Sequence, residues 1–105
     1  MTLNELAAEI HAQARAKGFW DTERRLPERL ALLHSEVSEV FEEWRNRTPA
    51  VYEKFGGPCG YAVELIDVII VALDSLAFEG VDIDEIMRAK MAFNAGRPVR
   101  HGRRI

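Results

Sequence analysis

One cysteine, Cys59, stands in a chain of 105 residues. It excludes an internal disulfide, and a lone thiolate cannot build a zinc site. Proline is scarce at four residues, while Val, Ile, Leu and Phe recur throughout, a composition that supports a packed core. No long apolar run exists: the longest, Val68 to Leu73, falls far short of the roughly 20 residues that span a bilayer. No strong charge of one sign is present either. Seventeen acidic against fourteen basic residues leave a net charge of −3, which offers no global argument for nucleic-acid or membrane binding. The opening MTLNELAAEI lacks the basic-then-apolar layout of a signal peptide. These absences point to a soluble protein in a reducing, cytoplasmic setting. The length suits one domain, residues 1–105, whose last stretch, 97–105, is a basic tail.

What is present is helical. Thr2 with Glu5 reads as a capping box. Leu3, Leu6, Ala7, Ile10 and Ala14 then repeat at helical spacing up to Gly18. After the turn-rich GFWDTERRL, Pro27 suits the start of a second helix. Its apolar stripe is Leu30, Leu33, Val37, Val40, Phe41 and Trp44, running to about Arg45. Residues 46–60, with two prolines and three glycines, read as a loop with one helical turn around Val51 to Phe55. A third helix spans about Tyr61 to Phe78 and ends at Gly80. A fourth begins at a second capping box, Asp82 with Glu85. It turns Ile83, Ile86, Met87 and Met91 inward, and stops at Asn94 and Gly96. No segment alternates as a strand. The expected fold is all-α, a four-helix bundle with antiparallel neighbours. The first and fourth helices have modest apolar faces, so self-association to complete the core is expected.

Some carboxylates do not fit this pattern. In YAVELIDVIIVALDSLAF nearly every position is apolar, and the helix should be buried around most of its circumference. Yet Glu64 and Asp67 lie within it, three residues apart on one face, and Asp74 follows a heptad later. An ionised carboxylate buried without a partner costs several kcal/mol. The second helix offers more of the same charge, with Glu36, Glu39 and Glu43 at i, i+3 and i+7. If the two helices pack as neighbours, Glu36 and Glu39 face Glu64 and Asp67, and four like charges repel unless a cation lies between them. Hard divalent ions take oxygen ligands, and Mg²⁺ binds through a few carboxylates plus substrate phosphates. Neither stripe contributes Cys or His, which argues against zinc. The plainer alternatives are a solvated acidic face on the second helix and buried ion pairs from Glu64 and Asp67 to arginines.

HSEVSEVFEEWR followed by ELIDVIIVALD resembles the MazG-like group of all-α nucleoside triphosphate pyrophosphohydrolases. Their signature is E-x-x-E on one helix, a linker of variable length, and E-x-x-D on another; here the pairs are Glu36 with Glu39 and Glu64 with Asp67. KMAFNAGRPVRHGRRI is similar to the family's K-x-x-x-N-x-x-R-P ending, and GFWD upstream also matches. Together these cover most of residues 18–104. Many relatives carry a further glutamate immediately before the first pair, where this chain has Ser35; the four-carboxylate core is intact. The resemblance implies a MazG-type domain that hydrolyses (deoxy)nucleoside triphosphates between the α and β phosphates, giving monophosphate and pyrophosphate. It implies Mg²⁺, with Mn²⁺ as a substitute, held by Glu36, Glu39, Glu64 and Asp67, with Glu36 or Glu39 also orienting the water. A carboxylate-held metal suffices for phosphoryl transfer, so no covalent intermediate is expected.

Lys90, Asn94 and Arg97 share a face at i, i+4 and i+7 and suit a polyphosphate tail. Without the resemblance they read as a solvated lysine and a helix cap. Arg100, His101, Arg103 and Arg104 extend that clamp, reach an adjacent subunit, or form a free basic tail. Trp20 is a candidate for base stacking, against the commoner role of a core plug. His34 reads as a packed or surface histidine, and Cys59 has no assigned role. The expected partners are a nucleoside triphosphate and further copies of the chain, as a homodimer or homotetramer, with no membrane and no nucleic acid. Rival readings are a non-catalytic helical interaction module and, among enzymes, a phosphoribosyl-ATP or dUTP/dCTP pyrophosphohydrolase.

Overall fold

The computed structural model describes residues 1–104. In chain order it has α1 (Leu3–Ala16), α2 (Leu26–Arg45), β1 (Tyr52–Lys54), β2 (Gly57–Cys59), α3 (Tyr61–Glu79) and α4 (Ile83–Ala95), followed by a 3₁₀ turn at Val99–Gly102. The fold is all-α apart from the small hairpin. Among the described residues no helix is long and apolar enough to cross a membrane.

Local chemistry sets the helix ends. The Thr2 hydroxyl accepts from the Glu5 N–H at 3.0 Å while Glu5 reaches back to the Thr2 N–H, which completes the first capping box. Pro27 occupies the first turn of α2. Gly80 closes α3 in the left-handed conformation at φ 72°. At α4 only half of the expected box forms, with Asp82 accepting from the Glu85 N–H. The N-termini of α1 and α4 also interlock. Asp84 accepts from the N–H groups of Leu3 and Asn4 at 3.0 and 3.1 Å, and the Asn4 side chain bonds both Asp82 and the Ile83 N–H. A carboxylate at a helix N-terminus satisfies unpaired donors and complements the positive end of the dipole.

α3 packs against both α1 and α2, and α4 packs chiefly against α1. The buried centre is small: Ala7, Leu73 and Ile83, flanked by Leu3, Leu6, Ile10 and Ala77. Arg29 fastens α2 to α3. Its guanidinium is 6% exposed and donates to Ser75, to Glu79 at 2.8 Å and to the Arg24 carbonyl at 3.1 Å. It also lies over the Phe78 ring at 4.9 Å.

Three expectations change. Residues 52–59 form a β-hairpin, with Tyr52 opposite Cys59 and Lys54 opposite Gly57, instead of a helical turn. The hairpin turns at Phe55 and Gly56, both at positive φ. α3 is not buried around its circumference, because Leu65, Ile66, Ile69 and Ile70 are exposed. Ile86, Met87 and Met91 of α4 are exposed as well. The four helices of the expected all-α, bundle-like fold are present, but beyond Ile83 the apolar face of α4 is left uncovered within the chain. The radius of gyration is 16.2 Å, against about 13 Å for a compact chain of this length.

Candidate active site

α2 and α3 pack side by side, and their acidic faces meet. One carboxylate oxygen from each of Glu36, Glu64 and Asp67 lies within 4.8 Å of the others. Glu39, one helical turn beyond Glu36, adds its charge to both Glu36 and Glu64. Burial pushes the Glu36 carboxyl above its ordinary range, and the neighbouring charges of Glu39, Asp67 and Glu64 push it further. Glu64 is raised in the same way, first by burial and then by Asp67 and Glu39.

The ion pairs among the described residues are His11–Asp74, Arg29–Glu79 and Arg45–Glu42; none involves this cluster. The arginine-paired alternative for Glu64 and Asp67 is therefore not what the chain adopts. An all-oxygen, acidic donor set with clustered oxygens and no protein cation fits a hard divalent ion such as Mg²⁺. Glu43 continues the stripe but is held elsewhere. It accepts from the Tyr52 phenol and from the Thr48 hydroxyl at 2.9 Å, and these bonds hold its pKa down.

Local backbone geometry places Glu64. Gly60 begins α3 at φ +116°, and a Cβ there would lie 2.2 Å from the Ala50 carbonyl oxygen. Only glycine permits this approach. Ala62 donates to that same carbonyl at 3.1 Å, so the first turn of α3 is fastened to the part of the interhelical linker that precedes β1.

Lys90 and Asn94 are carried by α4, which packs on α1, and Arg97 follows just past the helix end at Gly96. Lys90 and Arg97 both lie over the Phe93 ring, at 5.0 and 5.5 Å. Asn94 Oδ1 is buried with no hydrogen-bond partner among the described residues. The basic residues Arg100, His101, Arg103 and Arg104 are exposed. Trp20 sits in an aromatic cluster. Its indole stacks on Phe78 with centroids 4.6 Å apart, Arg24 lies over it at 5.0 Å, and its N–H donates to Asp74.

Two features were not singled out by spacing. His11 Nδ1 lies 2.7 Å from Asp74 Oδ1, so the third acidic residue of α3 is held by α1 and by the α1–α2 link instead of joining Glu64 and Asp67. Beside Glu36, a pocket of about 300 Å³ opens between α1, α2 and α3. Ile10, Ala14, Phe19, Leu32, Ile70 and Val71 make most of its wall apolar, and Gln13, Lys17, Arg24 and Asp74 line it, with Glu36, as polar and charged groups. The one sequence signal for this region was an aspartate in an otherwise apolar stretch of helix.

The fold and site together define an all-α protein with a surplus of converging carboxylates beside an apolar pocket. Its sequence is 33% identical over 96 residues to the dATP/dGTP diphosphohydrolase of Cyanophage S-2L, a match covering 91% of this chain and 76% of the phage protein. The chain belongs to the family of that diphosphohydrolase. No protein-family model matches it, and no solved structure does.

Proposed function

We propose that this protein hydrolyses nucleoside triphosphates between the α and β phosphates in the presence of Mg²⁺, releasing monophosphate and pyrophosphate. The observation that carries this reading is the convergence of Glu36, Glu64 and Asp67 within 4.8 Å, with no ion pair to them among the described residues, in a chain related to a dATP/dGTP diphosphohydrolase. Purine deoxynucleotides are the first substrates to expect.

Glu36, Glu39, Glu64 and Asp67 hold the metal, which supplies neutralisation of the phosphate charge. Glu39 is more exposed than Glu36, and it orients the attacking water. Lys90, Asn94 and Arg97 bind the phosphate tail. Because α4 packs on α1, these three serve the carboxylates of a neighbouring copy. The exposed apolar faces of α2, α3 and α4 support such an assembly.

The test is product analysis with Mg²⁺ and a panel of triphosphates. Monophosphate plus pyrophosphate is expected, and it should be lost in Glu39→Gln and Asp67→Asn. Diphosphate plus orthophosphate refutes the cleavage position. No turnover, with no effect of Mg²⁺ on melting, favours a helical interaction module.

A further inference from the structure

We propose that the pocket beside Glu36 receives the purine base of the substrate, and that Asp74 selects bases carrying an exocyclic amino group. This rests on the hydrolase reading above.

The pocket's position makes the first link. Glu36 belongs both to the carboxylate cluster and to the pocket wall, so a ligand whose phosphates sit at the cluster has the pocket open to its other end. The wall chemistry makes the second. Apolar side chains from three helices suit a flat heterocycle, and the polar groups among them fix its orientation: Gln13, Lys17 and Arg24 offer donors, and Asp74 offers an acceptor.

Asp74 makes the third. A carboxylate has about four lone-pair positions and only accepts. His11 Nδ1 therefore donates to Asp74 Oδ1 at 2.7 Å, and the Trp20 indole N–H is shared between Oδ1 at 3.2 Å and Oδ2 at 3.1 Å. One acceptor position on Oδ2 stays free. The carboxylate lines the pocket, and the donors of His11 and Trp20 hold it in place, which leaves that position for a ligand N–H. A site built to bond a ligand N–H discriminates strongly against the analogue that lacks it.

Asp74 is a specificity residue in this scheme, remote from the phosphates, and its effect falls on KM. The experiment uses two substrate pairs that each differ by one amino group: dATP against its 6-deamino purine analogue, and dGTP against dITP. The wild-type chain is expected to favour the amino member of at least one pair by about tenfold or more in kcat/KM, carried by KM. In Asp74→Asn, His11 and Trp20 keep the amide oxygen, and the amide nitrogen turns a donor toward the ligand. The preference should then fall to within about twofold, with Mg²⁺-induced stabilisation of the chain retained.

Equal use of both members by the wild type overturns the proposal, as does a preference that survives Asp74→Asn. Should Asp74→Asn fail to fold, Ala14→Leu narrows the pocket on a good helix former. It should raise KM about tenfold for both members while kcat and the Mg²⁺ response hold; an unchanged KM overturns the pocket assignment with the hydrolase reading intact. No turnover by the wild type overturns the hydrolase reading, and the base pocket with it.

Discussion

Replacing Glu64 by Gln should make the metal-free protein more stable. In Glu64→Gln the side chain keeps its size and loses its charge. Its carboxylate oxygen lies within 4.8 Å of those of Glu36 and Asp67, so the two closest repulsive pairs disappear. Coulomb's law at that separation gives about 0.9 kcal/mol per pair in a water-like medium and about 3.5 kcal/mol at the effective dielectric of a protein surface. The cluster is partly open to solvent and its side chains can swing apart, so the lower figure governs and the net gain should be about 1–2 kcal/mol. For a domain of this size each kcal/mol raises the melting temperature by about 4–8 °C. The assay is calorimetry or fluorescence melting in chelator and again in millimolar Mg²⁺. The wild type should gain about 2.7 kcal/mol when Mg²⁺ reaches a hundred times its Kd, and Glu64→Gln should lose most of that gain while starting from a higher metal-free Tm. A lower metal-free Tm in Glu64→Gln would mean that Glu64 makes a stabilising contact. A full Mg²⁺ response in the variant would mean that it is no ligand. Either result refutes the reasoning.

The same repulsion sets a pH dependence. Glu36 and Glu64 titrate above their ordinary value of 4.5, so their ionised forms destabilise the fold above the raised pKa, and that strain is released as pH falls through it toward 4.5. The metal-free Tm should therefore climb as pH falls through the raised pKa values toward 4.5, a climb flattened by Mg²⁺ or by Glu36→Gln. Glu43 and Asp82 are shifted down, so the stability they add is present above their ordinary values and is lost as pH falls through their lowered ones. Gly60→Ala should destabilise the protein by about 3 kcal/mol, through a Cβ thrust against the Ala50 carbonyl in a strained φ region, read as a lowered denaturant midpoint at constant m. Light scattering should give a mass that is a multiple of the 11.9 kDa chain, reduced by Phe41→Glu combined with Leu65→Glu; a wild-type monomer would refute assembly through these faces.

Much of this architecture was legible because periodicity and caps are local properties. Thr2 and Glu5 specify a helix start through four residues, and Pro27 and Gly80 mark their positions by backbone chemistry alone. The meeting of Glu36 with Glu64 and Asp67 also followed from spacing, given only that two amphipathic helices are neighbours. The hairpin was not legible. Its strands are three residues each, too short for alternation to register, and its turn puts Phe55, an unfavourable residue for positive φ, beside Gly56. The apolar circumference of α3 predicts burial, yet Leu65, Ile66, Ile69 and Ile70 are exposed in the single chain. An apolar pattern states that a surface needs covering and leaves open which molecule covers it. Asp74 illustrates the other limit: its partners, His11 and Trp20, lie 63 and 54 residues away, and no local pattern links them.

The fastening of Gly60 to Ala50 has a consequence for how this molecule can change. Ala62 and Gly60 close on the Ala50 carbonyl, so the two ends of the intervening segment are pinned together before the hairpin begins. The hairpin tip at Phe55, 95% exposed, lies outside that closure. Residues added or removed at the tip lengthen or shorten a loop whose base does not move, and the closure entropy of a longer loop grows only slowly. The spacing between the glutamates of α2 and the acidic pair of α3 is thereby insulated from the length of chain that joins them, and the tip is free to diverge, or to accept an inserted segment, while the acidic faces keep their register.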